Sequence, residues 1–318
     1  MHVVVLAGGV GGARFLTGLR DAVGPADTIT AIVNTGDDLT LHGLRICPDL
    51  DSVMYTLGGG IDTERGWGRA GETWTVRDEL AGYDTDAGWF SLGDRDIATH
   101  LVRTRMLDAG FPLSAVTAAL CQRWQPGITL LPMTDQRCET HVVVDTDGGR
   151  KALHFQEWWV RHRAGLVPLE FVQVGVEQSR PAEGVLAALA DADVVLFAPS
   201  NPVVSIGTVL GVPGIRTALT GTAAPVVGLS PIVAGAALRG MADTCLQAIG
   251  VPVSAEAVGR HYGARSDGGL LDGWLVHTGD PADVPGVTVR AVPLLMTDPA
   301  TTAAMAAASL VLARECSP

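Results

Sequence analysis

The first 35 residues constrain the fold more than any other part of the chain. "HVVVLAGG" is a short apolar, β-branched run that ends in glycines. Such a run marks a central strand of a parallel sheet feeding a loop. "ARFLTGLRDAVG" follows, with Phe15, Leu16, Leu19 and Val23 at helical spacing and Gly24 as a stop. "TITAIVN" is a second buried strand. A β-loop-α-β unit of this kind opens a doubly wound sheet.

The pattern resumes later. "ADVVLFAPSNP" (192–202), "APVVGLSPIV" (224–233), "GWLVHTG" (273–279) and "GVTVRAVPLL" (286–295) each read as an apolar strand opening into a loop. "ETHVVVDTDGGRKALHF" (139–155) reads as a hairpin around a D-G-G turn, and "TTAAMAAASLVLARE" as an Ala-rich helix. Between Asn34 and about residue 125 the alternation stops. Helical stretches such as "DIATHLVRTRMLDAG" and "SAVTAALCQRW" stand there among polar loops. The expectation is α/β: a single domain over residues 1–318 with a Rossmann-like doubly wound, mainly parallel sheet. A mainly helical insertion, roughly 36–125, would lie over the sheet's carboxyl edge.

Charge excludes several partners. The net charge of −12 argues against nucleic acid or an anionic membrane, which need a positive footprint. Of 22 basic residues only Lys151 is lysine, so phosphate must be held by arginine, backbone N–H groups or a metal. Five cysteines without C-x-x-C spacing read as free thiols of a reducing cytosol. The N-terminus enters a strand pattern at once without a basic flank, and the longest apolar stretch, near Val226 to Leu238, is broken by Ser230 and Pro231. A cytoplasmic protein without signal peptide or membrane span is expected.

Four places carry candidate chemistry. Gly8, Gly9, Gly11 and Gly12 lie between strand and helix, where a helix N-terminus offers N–H groups to an anion. Arg14 stands where a dinucleotide fingerprint needs glycine, and no G-K-[ST] follows, so neither Rossmann nor Walker spacing is met. The glycines serve either a phosphate or a tight helix–strand turn. Asp37, Asp38, Asp49 and Asp51 form the second place, "VNTGDDLTLHGLRICPDLD". On an extended segment Asp49 and Asp51 would share one side, and two carboxylate pairs beside a phosphate loop suit Mg²⁺. The alternative is a helix starting in "PDLDSVMYTL", with one aspartate as N-cap and another in the first turn.

The third place is "SLGDRDIATH", where Asp94 or Asp96 would cap a helix through His100, or Ser91 and Asp94 would meet a substrate hydroxyl. The fourth is "APSNPVVSIG", with Ser200, Asn201 and Ser205 just past a strand: donors for phosphate or base, or an Asx/proline turn. Trp67 and Trp74 would stack on a planar ring or join the core. No G-x-S-x-G elbow or catalytic cysteine signature occurs, so a covalent intermediate is not indicated.

Taken in order, "GGVGGARFL", "VNTGDD", "HGLRICPDLDSVMYTLGGGID", "RGWG", "LGDRDIATHL", "LPMTD", "HFQEWWV" and "SNPVVSIG" resemble the CofD/FbiA family. The resemblance implies a transferase of coenzyme F(420) biosynthesis. It would move a phosphoenolpyruvyl or 2-phospho-L-lactyl group from a guanosine diphosphate donor to the ribityl hydroxyl of the deazaflavin Fo, releasing GMP. It implies a Rossmann-like fold, a homodimer and dependence on Mg²⁺. Carried over, Asp51, Ser91 and Asp94 meet Fo, and Asp37 and Asp51 are catalytic and ligate the metal, with Asp38 and Asp49 as further ligands. Gly8, Gly9, Val10, Gly11 and Gly12, with Asn34, Ser200, Asn201 and Ser205, would hold the donor. The actinobacterial look of "GGVGGARF" and "RICPDLD" leans toward enolpyruvate. A non-catalytic nucleotide-sugar-binding regulator of the same fold is the competing reading; it would use the glycine loop but has no use for "PDLD" or "LGDRD".

Overall fold

A computed structural model describes residues 1–83, 88–238 and 241–317. The chain opens as β1 (His2–Ala7), α1 (Val10–Ala22) and β2 (Thr28–Val33), as its periodicity predicts. A small hairpin follows, β3 (Leu39–Leu41) and β4 (Leu44–Ile46), then four helices: α2 (Pro48–Leu57), α3 (Thr75–Ala81), α4 (Asp94–Asp108) and α5 (Leu113–Trp124). Next come β5 (Thr129–Pro132), β6 (Glu139–Thr146), β7 (Gly149–His154), β8 (Pro168–Val174) and α6 (Val185–Ala190). The second half holds β9 (Val194–Phe197), α7 (Ile206–Gly211), α8 (Ile215–Gly221), β10 (Val226–Leu229), β11 (Ile232–Val233) and β12 (Ala236–Ala237). It closes with α9 (Ala242–Ala248), α10 (Ala255–Tyr262), β13 (Gly273–His277), β14 (Thr288–Val292) and α11 (Pro299–Cys316).

Seven strands form one sheet in the order β14-β13-β10-β9-β1-β2-β5, and every neighbouring pair is parallel. The chain moves outward from β1 through β2 to β5, then returns to β9 on the other side of β1. This reversal beside β1 leaves a crevice at the carboxyl ends of the strands, where open α/β sheets bind ligands. Alternation along β1 explains the two layers. Val3, Val5 and Ala7 face α1, α2, α5 and α11, whereas Val4 and Leu6 face the layer that includes α6, α8 and α10. All five are fully buried. Each larger apolar side chain so buried contributes roughly 1.5–3 kcal/mol relative to exposure.

The region expected to be a helical insertion has two parts. α2 and α5 put Leu50, Val53, Met54, Leu113, Val116 and Leu120 into the main core, so they belong to the helical layer on the sheet's face. The β3–β4 hairpin packs separately with Leu92, Trp89 and Phe90, the residues around Ser91. Residues 84–87 of the region lie outside the described residues. The 139–155 hairpin forms with Thr146 opposite Gly149, and β8 adds a third antiparallel strand. Its "EWWV" continuation buries Trp158, whose indole N–H donates to the Leu166 carbonyl at 2.7 Å. That aromatic stretch is a core element of the small sheet. None of the described helices is long and apolar enough to cross a membrane.

Helices α1 and α11 cross at Gly18. A Cβ there would stand 2.5 Å from the Thr302 carbonyl carbon, backbone that cannot yield. Gly18→Val should therefore destabilise the protein by about 1–3 kcal/mol through overpacking, seen as a lowered denaturation midpoint.

Candidate active site

Three loops meet at the reversal beside β1. They follow β1 (Gly8 and Gly9), β2 (Asn34 to Asp38) and β9 (Pro199 to Ser205), and the first turn of α2 closes in on them. Glycines permit the approach. A Cβ on Gly8 would lie 2.5 Å from Ser205 Oγ, one on Gly9 2.3 Å from Asp49 Oδ1, and one on Gly12 2.8 Å from the Ala7 Cβ. The tight-turn account of these glycines is thus true of the structure, and the Gly8 N–H donates to Ser200 Oγ at 3.1 Å. α1 begins at Val10 without any side-chain cap, so the positive end of its dipole is not offset by an acidic residue of its own first turn.

The four aspartates lie close enough to feel one another's charge, but they divide into two groups by their partners. "PDLD" is helical, so Asp49 and Asp51 are not on one side of an extended segment. Two residues along a helix turn the side chain by about 200°, and the two carboxylates face different neighbours. Neither caps α2: the N-cap is Cys47, which makes no side-chain cap bond, and both aspartates lie in the first turn.

Asn34 organises the first group. Its Oδ1 accepts from the Gly36 N–H at 2.9 Å, while Nδ2 donates to Asp37 Oδ1 at 3.2 Å and Asp49 Oδ2 at 2.9 Å. The amide is therefore engaged at both ends and braces two carboxylates. Among the described residues no arginine, lysine or histidine forms an ion pair with Asp37 or Asp49. Burial, then the nearby Asp49 charge, pushes the Asp37 carboxyl well up, and burial pushes Asp49 up to about 7 against the pull of Asn34.

Arginines neutralise the second group. Asp38 is fully buried and accepts from Arg45 Nη2 at 3.0 Å. Asp51 is gripped by Arg103: Nη1 donates to Oδ2 at 3.0 Å and Nη2 to Oδ1. Asp51 therefore sits in a guanidinium fork, and the carboxylate brought to Asp37 is Asp49. Burial, opposed by Arg45, moves the Asp38 carboxyl to about 6. Residue types and helix phase do not announce Arg45 and Arg103: α4 buries only Thr99, His100 and Arg103 and exposes Leu101 and Val102, the reverse of what polarity predicts.

The remaining candidates are placed as follows. Asp94 does not cap its own helix. Its Oδ2 accepts from the Thr75 N–H at 3.0 Å and from Thr73 Oγ1 at 2.5 Å, and its Oδ1 from the Val76 N–H at 3.0 Å, so it caps α3. Glu72 returns the favour for α4, accepting from the N–H groups of Arg95 and Asp96. The sequence reading missed this exchange because the two caps come from segments about twenty residues apart. Ser91 is half-buried just before α4. Asn201 accepts from the N–H groups of Val203 and Val204 in an Asx turn, while Ser205 is the N-cap of α7. Trp67 and Trp74 contact each other, with centroids 6.4 Å apart, and the Arg65 guanidinium lies 5.4 and 5.2 Å from the two rings.

The Asp49 carboxylate thus lies at the N-cap of α1, in a carboxylate pair that has no arginine, lysine or histidine partner among the described residues, while Asp51 sits in a guanidinium fork. Cys47 and Cys245, the cysteines beside these groups, have their thiols pushed up by burial, which disfavours a nucleophilic thiolate. The chain belongs to the CofD family, described as 2-phospho-L-lactate transferase, whose profile matches residues 3–288. It is an enzyme of the phosphoenolpyruvate/2-phospho-L-lactate transferase kind. A phosphoenolpyruvate transferase of Nocardia farcinica is 63% identical over 98% of this chain and 95% of that one. One of Mycolicibacterium smegmatis is 60% identical over 98% and 99%. A crystal structure of a UPF0052-family protein from Bacillus halodurans shares the fold, with a TM-score of 0.61, 19% identity and coverage of 97% and 99%.

The Asp38–Arg45 pair is a stability element. Arg45→Met, which strands a buried carboxylate, should cost about 3–5 kcal/mol, and Asp38→Asn in the same chain should restore much of it. Urea denaturation of the single and double variants measures both.

Proposed function

We propose that the chain transfers a phosphoenolpyruvyl group from a guanosine diphosphate donor to the ribityl hydroxyl of the deazaflavin Fo, releasing GMP, as a step of coenzyme F(420) biosynthesis. The observation that carries this is the uncompensated Asp37–Asp49 pair, held by Asn34 at the glycine loop. The whole-length relatives named phosphoenolpyruvate transferase favour enolpyruvate over lactate in the donor.

The donor set fits Mg²⁺. Asn34 satisfies one oxygen of each carboxylate, and hard oxygen ligands without a nearby cation are what this ion takes alongside substrate phosphate and water. Asp37 and Asp49 would hold it, a change from the pairing of Asp37 with Asp51 read in the sequence. When bound, the ion supplies charge neutralisation at the diphosphate. The rest falls to the chain. The loop from Gly8 to Gly12 and the N-terminus of α1 receive the diphosphate, with Ser200 and Ser205 at its edge. Asp51 accepts a hydrogen bond from the acceptor hydroxyl and aims it at phosphorus. Rate enhancement then comes from alignment and from fixed charges already in place.

Purified protein given Fo, Mg²⁺ and each donor in turn should release GMP with the enolpyruvyl donor and yield the matching product mass. Asp49→Asn and Asp37→Asn should each cut turnover by about 10²-fold or more, the scale of losing one fixed electrostatic group. Turnover within a few-fold of wild type would sink the ligand assignment.

Both carboxyls have folded-state pKa values above their unfolded ones. Their contribution is fully present below about pH 4, near the unfolded value. It is lost as pH rises through the folded values, which for Asp49 is about 7. Metal-stripped protein should therefore melt at a lower temperature at pH 8 than at pH 6. Millimolar Mg²⁺ should raise the melting temperature more at pH 8, where protons no longer compete with it.

A further inference from the structure

Arg103 lies inside α4 and is 1% exposed. Taking a guanidinium out of water is costly, and a well-packed apolar residue of similar volume commonly holds two elements together at least as well. Packing of α4 on the core therefore does not account for an arginine here. Its partners do.

Both terminal nitrogens of Arg103 close on the two oxygens of Asp51, which removes the carboxylate's freedom to rotate. The same Nη1 reaches the Arg45 carbonyl at 3.3 Å and His100 Nδ1 at 3.1 Å. Arginine only donates, so His100 Nδ1 is the acceptor of this contact, while Nε2 lies 3.6 Å from Asp96 Oδ2, beyond hydrogen-bond reach. Asp96 Oδ1 in turn accepts from the Tyr55 hydroxyl at 2.6 Å. Tyr55 lies one turn beyond Asp51 on α2, so α2 and α4 are joined twice, by Asp51–Arg103 and by Tyr55–Asp96.

Asp51, Asp96 and His100 bring ligand atoms within 4.8 Å of one another, a spacing a metal ion could use. Here the Arg103 guanidinium is already the cation of the cluster, and His100 Nδ1 is turned to it.

We propose that Arg103, braced by His100, is the positioning residue of the acceptor site. Its fork sets where the Asp51 oxygens stand, and it acts on the acceptor only through Asp51. This rests on the reading of Asp51 as the residue that meets the acceptor hydroxyl. The guanosine donor, held at the glycine loop, lies outside its influence.

Arg103→Lys separates position from charge, because an ammonium keeps the cation but cannot form the planar fork. It is expected to melt near the wild-type temperature and to bind the guanosine donor within twofold of wild type. Its KM for Fo should rise about tenfold and its kcat fall by up to ~10²-fold, the cost of about 1 Å of misplacement. By calorimetry, Arg103→Lys should add nothing to the loss of Fo affinity in an Asp51→Asn chain. Wild-type Fo kinetics in Arg103→Lys beside a crippled Asp51→Asn would overturn the role of Arg103 alone. So would a full additional loss in the double variant, or equal losses of donor and acceptor affinity. Wild-type Fo binding and turnover in Asp51→Asn would remove the acceptor reading and this proposal together.

Discussion

Four buried or half-buried aspartates share two guanidinium groups, and the architecture of the site depends on how that charge is divided. A carboxylate taken out of water needs a cation, several N–H donors or a proton. Asp38 and Asp51 have Arg45 and Arg103, and the Arg45 carbonyl accepts from Arg103, so the two pairs form one neutral block under the β3–β4 hairpin, α2 and α4. Asp37 and Asp49 share the Asn34 amide, and Asp49 also takes the Gly9 N–H, but neither has a guanidinium. The deficit is thus confined to one spot, beside the glycine loop. The chain's single lysine, Lys151, is exposed on β7.

The glycines serve this division by distance. Any side chain at Gly9 would occupy the place of the Asp49 carboxylate, and any at Gly8 that of Ser205. Backbone approach and ligand access are therefore one property of the loop. The β-strand positions behind it are buried on both faces, which holds the loop ends in register while the loops themselves stay polar.

Much of the frame is legible along the chain. β1, α1, β2, β9, β10, β13, β14 and α11 follow from apolar runs and helical spacing, because both faces of a central strand must be apolar. β5 is not legible: "TLLP" is four residues ending in proline, too short for a period to show, and it forms because β2 offers an edge. β8 alternates weakly and is half-exposed, and it is held by pairing with β6. The helix caps exchanged between Glu72 and Asp94 escape notice for the same reason, since each serves the other's helix.

By itself the sequence determined the parallel sheet, the glycine turn, the lack of lysine and the short list of carboxylates that any phosphate chemistry here must use. Those are properties of residue type and local period. Tertiary structure alone decided which carboxylate works with which. Asp51 meets Arg103 across 52 residues and Asp49 meets Asn34 across 15, through the turn of α2 and its packing on α1 and α5. Charge acts through space over a few ångströms, and separation along the chain carries no record of that distance.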